Sequence, residues 1–177
     1  MFDTDQLIAD CQAALSDPSP NKAVREVVAR AVADPEALMA VLGTPAKGGV
    51  HILHRADDLT VLNVLWAPKA VLLPHDHAMW AVIGVYAGRE DNILWRRIAG
   101  DAAGRIEAAG AKSLAEGETI AFGPEVVHSV INPLSRVTGA LHVYGGDFFA
   151  TPRSEWDPEK LEEGAYDIER VMRAIGG

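Results

Sequence analysis

The residues best suited to chemistry in this chain are its histidines. His75 and His77 stand one residue apart in "LPHDHAMW", within an otherwise apolar run. In an extended strand, residues i and i+2 share a face, so the two imidazoles project together and Asp76 turns away. Neutral imidazole is the commonest metal ligand in proteins, and two on one face form an edge of a metal site. A third ligand must come from elsewhere. His128, in "GETIAFGPEVVHSVIN", is the candidate, with Val126 and Val130 on its own face if that strand is regular. His142 and Tyr144, in "ALHVYGG", make a second i, i+2 pair. Taken alone, a His-x-His pair more often belongs to the polar face of a surface strand, so the metal reading rests on the whole arrangement. A set of imidazoles with no carboxylate leaves open positions on a six-coordinate metal, as non-haem Fe(II) needs to hold a substrate and O2 together. Zn(II), Ni(II), Cu(II) and Mn(II) also accept imidazole, so spacing leaves the metal open. The charge of such a site favours a bound thiolate, because the metal lowers the thiol's pKa.

The other polar candidates are weaker. His51 and His54 lie three apart, on opposite faces of a strand, and read as surface or internally satisfied side chains. Arg55, Arg89, Arg96 and Arg97 are candidates to meet an anionic substrate group. Adjacent Arg96 and Arg97 face opposite ways in a strand, so at most one looks inward. Trp80 and Trp95 can wall a pocket, with ordinary packing as the default.

The elements that must position these groups change in texture along the chain. Residues 3–42 read as helical: "TDQLIADCQAAL", the breaker "SDPSP", "NKAVREVVARAVA" and "DPEALMAVLG". In the last of these Asp34 suits the cap, Pro35 the first turn and Gly43 the stop. From Gly49 a series of short strand candidates follows, most of them punctuated by Gly, Pro, Asn or Asp, which predicts an antiparallel sandwich or barrel. "GVHILHRADDLTVLNVLWAP" reads as two strands joined at Ala56–Asp58. After Gly146 the chain turns polar, and "DPEKLEEGAYDIERVMRAIGG" predicts one or two closing helices, with Asp157 and Pro158 repeating the cap-then-proline start. The expected organisation is one domain: helices over 1–48, a β-barrel over 49–150 and a helical segment over 151–177.

Bulk properties exclude several classes. The chain of 177 residues has 49% hydrophobic content, enough for a real core. Its formal net charge of −9, without a basic cluster, disfavours nucleic acid and anionic membranes as partners. No apolar run reaches the length of a membrane span. "MFDTDQLIAD" carries acids where a secretion signal carries Lys or Arg, and Cys11 is the only cysteine, so a reducing, cytoplasmic setting is expected.

"PHDHAMWAVIGVYAG" followed by "GETIAFGPEVVHSVINP" resembles the two sequence motifs of the cupin superfamily, over about residues 50–146. His75, His77, Gly84 or Gly88, Gly117, His128 and Asn132 fit these motifs. The resemblance implies a mainly β fold: a cupin double-stranded β-helix, or jelly-roll barrel, with N-terminal helices and a short C-terminal helical segment. The first motif's glutamate falls at Ala81 or Val82 and is absent, while Glu90 comes too late and past a turn. In the second motif Gly123 and Pro124 stand in reversed order. A three-histidine cupin site resembles the thiol dioxygenases, the cysteine dioxygenase-like branch. Trp66 and the "ALHVYGG" segment are similar to that branch too. By this resemblance His75, His77 and His128 bind one divalent metal, Fe(II) first among the candidates. His142 and Tyr144 are catalytic groups near it, and a small thiol and O2 are the substrates. Ala140 stands where that branch has serine, Cys11 cannot form its crosslink, and its carboxylate-binding arginine is expected near His51 and Arg55. A cupin that binds a small molecule without turnover, and a cupin enzyme for a non-thiol substrate, stay open. By analogy a homodimer is expected.

Overall fold

The structure is a computed structural model that describes residues 1–177. Three helices come first: α1 (Thr4–Ala14), α2 (Pro20–Val32) and α3 (Pro35–Leu42). Asp34 caps α3 by accepting from the Ala37 amide, Pro35 fills its first turn, and Gly43 closes it at φ 87°, as the sequence predicts.

Nine strands follow in the expected places: β1 (Gly49–Arg55), β2 (Thr60–Trp66), β3 (Val71–His75), β4 (Ala81–Ala87), β5 (Arg89–Arg97), β6 (Ile106–Ala115), β7 (Thr119–Phe122), β8 (Val127–Ile131) and β9 (Thr138–Tyr144). A short hairpin, β10 (Ser154–Trp156) and β11 (Glu163–Ala165), precedes the last helix, α4 (Ile168–Gly176). One antiparallel sheet runs β1-β2-β9-β4-β7 and the other β11-β10-β3-β8-β5-β6. From β2 to β5, and again from β6 to β9, successive strands alternate between the sheets, and the order is that of a jelly roll.

Period-two alternation divides the first sheet cleanly. On β9, Ala140 and Tyr144 join the inner core with Leu62, Val64 and Ile83. Leu141 and Val143 point outward, with Val61, Val82 and Tyr86, onto Val24, Val28 and Val32 of α2. Gly84 faces that helix: a Cβ there would lie 2.5 Å from Val28 Cγ1, so α2 packs directly on the strand backbone. The helical layer is therefore a cover for the outer sheet face. At one end of the sandwich, Val171 and Ile175 of α4 close the inner core. No helix is long and apolar enough to cross a membrane.

Two expectations need correction. Residues 151–177 are not simply helical. Asp157 accepts from the Glu159 and Lys160 amides, capping a turn rather than a helix. "DPEKLEEG" offers only Leu161 as an apolar anchor, so no helical face can be buried there. The amphipathic run begins later, where Asp167 caps α4 by accepting from the Arg170 amide. His77, second, lies outside a strand. β3 ends at His75, its ladder with β8 shifts register between Leu72 and His75, and Ala78 turns the chain at φ 53°. Pro74 sits in that irregular stretch and has no amide proton to donate to a ladder.

Candidate metal centre

The facing ends of β3 and β8, and the loop after β3, converge inside the sandwich. His75 is the cross-strand partner of His128, which places their rings 4.6 Å apart. The turn after β3 then swings His77 over both, with ring centroids 5.1 Å from His75 and 4.9 Å from His128. One ligand nitrogen from each of the three lies within 4.8 Å of the others, and all three side chains are buried. Asp76 turns the other way, as expected, accepting from Arg97 and from the Ser154 amide.

The rings are oriented by acceptors behind them. The Leu73 carbonyl can only accept, so His75 carries its proton on Nδ1, which donates over 2.8 Å and leaves Nε2 free. Asn92 Oδ1 accepts from His128 Nδ1 at 2.7 Å, leaving the Nε2 lone pair facing the cavity. There it meets His77 Nε2 at 3.2 Å. Two nitrogens bound to one metal at about 2.1 Å, with tetrahedral or octahedral angles, stand about 2.9–3.4 Å apart, so this pair suits a shared ion. Burial pushes His75 down to about 4, and it holds His77 and His128 well below the usual histidine range, helped by the neighbouring imidazoles. All three are therefore neutral donors at pH 7, the form a metal needs. Ala81 and Val82, the two positions at which the motif's glutamate is expected, lie in the inner and outer cores and offer no ligand.

A second layer lies behind the trio. Glu90 has zero exposure and sits at the start of β5. Its Oε1 accepts from Asn92 Nδ2 at 3.1 Å, and its Oε2 accepts from Trp66 Nε1 at 2.8 Å and from His142 Nε2 at 3.3 Å. His142 Nδ1 in turn accepts from the Tyr144 hydroxyl at 3.0 Å. Tyr144 packs edge-on to His77, with ring centroids 5.1 Å apart. Burial raises its phenol well above the usual value, so it keeps its proton at neutral pH. The cavity between these groups is small, ≈ 20 Å³, and is walled by Leu62, Val64, Leu72, Phe148, Tyr166 and Met172 among others.

The arginines named from sequence do not reach it. Arg55 pairs with Asp147 at the surface, Arg89 with Asp91, Arg96 with Glu107 and Arg97 with Asp76. His51 is exposed, and His54 is half-buried on the same strand. Trp80 packs in the outer cluster, and Trp95 donates to Ser129 Oγ away from the cavity. The cation beside the site is Arg153, which sequence reasoning missed. Its guanidinium carbon lies 4.1 Å from the Phe148 ring centroid and 4.0 Å from that of Tyr166, both of them cavity walls. Its Nη1 donates to the Phe148 and Thr151 carbonyls. Arg153 Nε and the Tyr166 hydroxyl are buried without a hydrogen-bond partner of good geometry. Glu90 and Asn92 were missed as well, although alternation along "REDNILW" puts both on the face of Leu94, a polar pair on an apolar side.

No protein-family model matches the chain. Among solved structures, oxalate decarboxylase from Bacillus subtilis at pH 4.6 is similar at 20% identity, over 59% of this chain and 27% of that one, with a TM-score of 0.45. Another structure of that enzyme, described with Mn(II) centres, matches at 19% identity over 58% and 26% of the two chains, TM-score 0.43. A conserved protein of unknown function from Streptococcus pyogenes matches at 14% identity over 55% and 72%, TM-score 0.43. The match thus spans about a quarter of the length of the decarboxylase chains. The jelly-roll assignment rests on the strand order, and what the chain itself presents is a β sandwich with three buried histidines placed to hold a metal ion.

Proposed function

We propose that this chain is a cupin metalloenzyme that oxidises a small, anionic thiol to its sulfinate with O2. His75, His77 and His128 hold one divalent ion, Fe(II). The observation that carries the reading is the donor set: three neutral imidazoles aimed at one point, with no carboxylate beside them. When bound, Fe(II) supplies open positions for a thiolate and O2 together. The overall change is R–S⁻ + O2 → R–SO2⁻: both oxygen atoms end on sulfur, four electrons leave it, and no outside reductant is needed.

The chain's own residues supply the rest. Leu62, Val64, Leu72 and Phe148 keep bulk water from the reacting atoms. Tyr144 keeps its phenolic proton and lies against His77, so it can turn that proton from His142 to a reactant's oxygen. The buried Arg153 Nε and Tyr166 hydroxyl, close to each other but without a hydrogen bond of good geometry, suit the substrate's anionic end. This pair does the work for which Arg55 is badly placed. The small cavity favours a short substrate such as 3-mercaptopropionate.

The experiment is anaerobic loading of metal-free protein with Fe(II), followed by admission of air in the presence of 3-mercaptopropionate, cysteine, cysteamine or 2-mercaptoethanol. Stoichiometric O2 uptake with a sulfinate product is expected, fastest with 3-mercaptopropionate. No uptake with any of the four defeats the thiol reading. It leaves a cupin for a non-thiol substrate, or a binding module, to account for the site.

A further inference from the structure

Glu90 joins two parts of the site. On one side it faces Asn92, which faces His128. On the other it faces His142, which faces Tyr144. We infer that Glu90 is a positioning residue that fixes the tautomer of His128 through Asn92, and so keeps the His128 Nε2 lone pair available to a metal. The inference rests on His128 being a metal ligand.

The hydrogen-bond directions leave little freedom. Trp66 Nε1 can only donate, and it donates to Glu90 Oε2. A carboxylate accepts on both oxygens, so Oε1 draws the NH2 end of Asn92 toward itself at 3.1 Å. That turns Asn92 Oδ1 to His128, where it requires a proton on Nδ1. An amide has no preferred end by shape alone; the carboxylate behind it decides which end meets the imidazole.

The substitution E90Q keeps the shape and reverses this polarity. The oxygen of the introduced amide must face Trp66, because an NH2 group there would oppose an N–H that cannot turn round. Its NH2 then faces Asn92, whose amide flips to accept it. The Asn92 NH2 now meets His128 Nδ1, which must accept, so the ring proton moves to Nε2, the metal-facing atom. Adding N92D in the same protein undoes this. The glutamine then donates to the new aspartate, the aspartate accepts from His128 Nδ1, and the buried charge of the pair is unchanged. A role limited to holding one negative charge at position 90 predicts no such rescue.

The test uses the full chain as E90Q and as E90Q/N92D. Imidazole ¹⁵N–¹H long-range NMR of metal-free protein reads the His128 tautomer, and visible-absorption titration with Co(II) reads metal affinity. Wild type and E90Q/N92D are expected to carry the proton on Nδ1, and E90Q on Nε2. Co(II) affinity is expected to fall about 10–100-fold in E90Q, the range seen when such outer partners are lost. It should return to within about three-fold of wild type in the double variant. If E90Q does not fold, recovery of fold, tautomer and affinity in E90Q/N92D carries the same meaning. An Nδ1 proton with unchanged affinity in E90Q, or a double variant no better than E90Q, overturns the inference. Wild-type protein that binds no divalent ion refutes the metal reading instead, and the tautomer measurement still decides the role of Glu90.

Discussion

Arg153 offers the sharpest test of substrate choice. Its guanidinium lies against the rings of both Phe148 and Tyr166, which shield it in part from water. Its Nε–H is buried without a hydrogen bond of good geometry, whereas Nη1 is already committed to two carbonyls. At an effective dielectric of about 20, unit charges about 4 Å apart attract by about 4 kcal/mol. Desolvating the anion takes back part of that, so about 2–3 kcal/mol is a fair net value. Arg153→Gln should then lower kcat/KM for 3-mercaptopropionate about 30–150-fold, because each 1.36 kcal/mol is tenfold. The neutral 2-mercaptoethanol, with no anionic end, should change less than about three-fold. Arg153→Lys keeps the charge but loses the planar fork, so it should fall between the two. The assay is initial O2 uptake over a range of each thiol, with metal content and thermal midpoint as controls, since Arg153 also ties down the Phe148–Thr151 turn. An equal fall for charged and neutral thiols, at unchanged metal content, would refute the anchor and return Arg153 to a purely structural role.

Other consequences are as direct. His128→Ala should leave a folded protein that retains no stoichiometric divalent ion after gel filtration; full metal content by elemental analysis would remove His128 from the ligand set. Trp66→Phe keeps an aromatic ring but deletes one of three donors to the buried Glu90 carboxylate and leaves a small void, so a loss of at least about 1–3 kcal/mol is expected in urea unfolding. Burial lowers His75 to about 4 and lowers His77 and His128 as well. In metal-free protein the unfolded chain therefore takes up protons first as pH falls through about 6.5, so the stability present at pH 7 should decline toward pH 4; equal urea midpoints at pH 7 and pH 5 would contradict this. Cys11 is fully buried under the helical layer, which pushes its thiol up to about 12. It should resist thiol reagents at pH 8 until the protein is unfolded, and rapid labelling of native protein would show the layer opening.

Much of this architecture is legible in the sequence because the strands of the sandwich are short and most end at a residue that breaks them. The ladder β2–β9–β4 follows from apolar residues on both parities, which only a sheet covered on both faces demands. The three histidines are legible because they are polar groups set in or just after apolar strand runs. His77 reaches the site by a different route from the one its spacing implies. A turn at Ala78, not strand alternation, puts it beside His75. The spacing is right about the neighbours and wrong about the backbone, because a strand end and a tight turn can both bring i and i+2 together.

What stayed hidden is what depends on pairing between distant strands. Glu90 looks misplaced when counted from His77, since the cupin spacing puts a ligand at Ala81 or Val82, one strand earlier. Only the crossing from β4 to β5, through the turn at Gly88, returns it to the interior, behind the ligands and not among them. Asn92 depends on it in the same way. Arg153 stayed hidden because the polar run after Gly146 reads as solvent-facing helix. The β10 strand, pairing Glu155 with His75, draws that run back onto the mouth of the sandwich. The identity of the three histidines is thus visible in the local sequence, whereas their meeting, and the groups proposed to tune them and to select a substrate, depend on a turn and on strand order. That division explains why the motif resemblance suggests a three-histidine centre so readily and a substrate so poorly. The proposed anion anchor sits just before β10, whose position the motifs do not encode, so the proposed choice of thiol must be read from the folded chain.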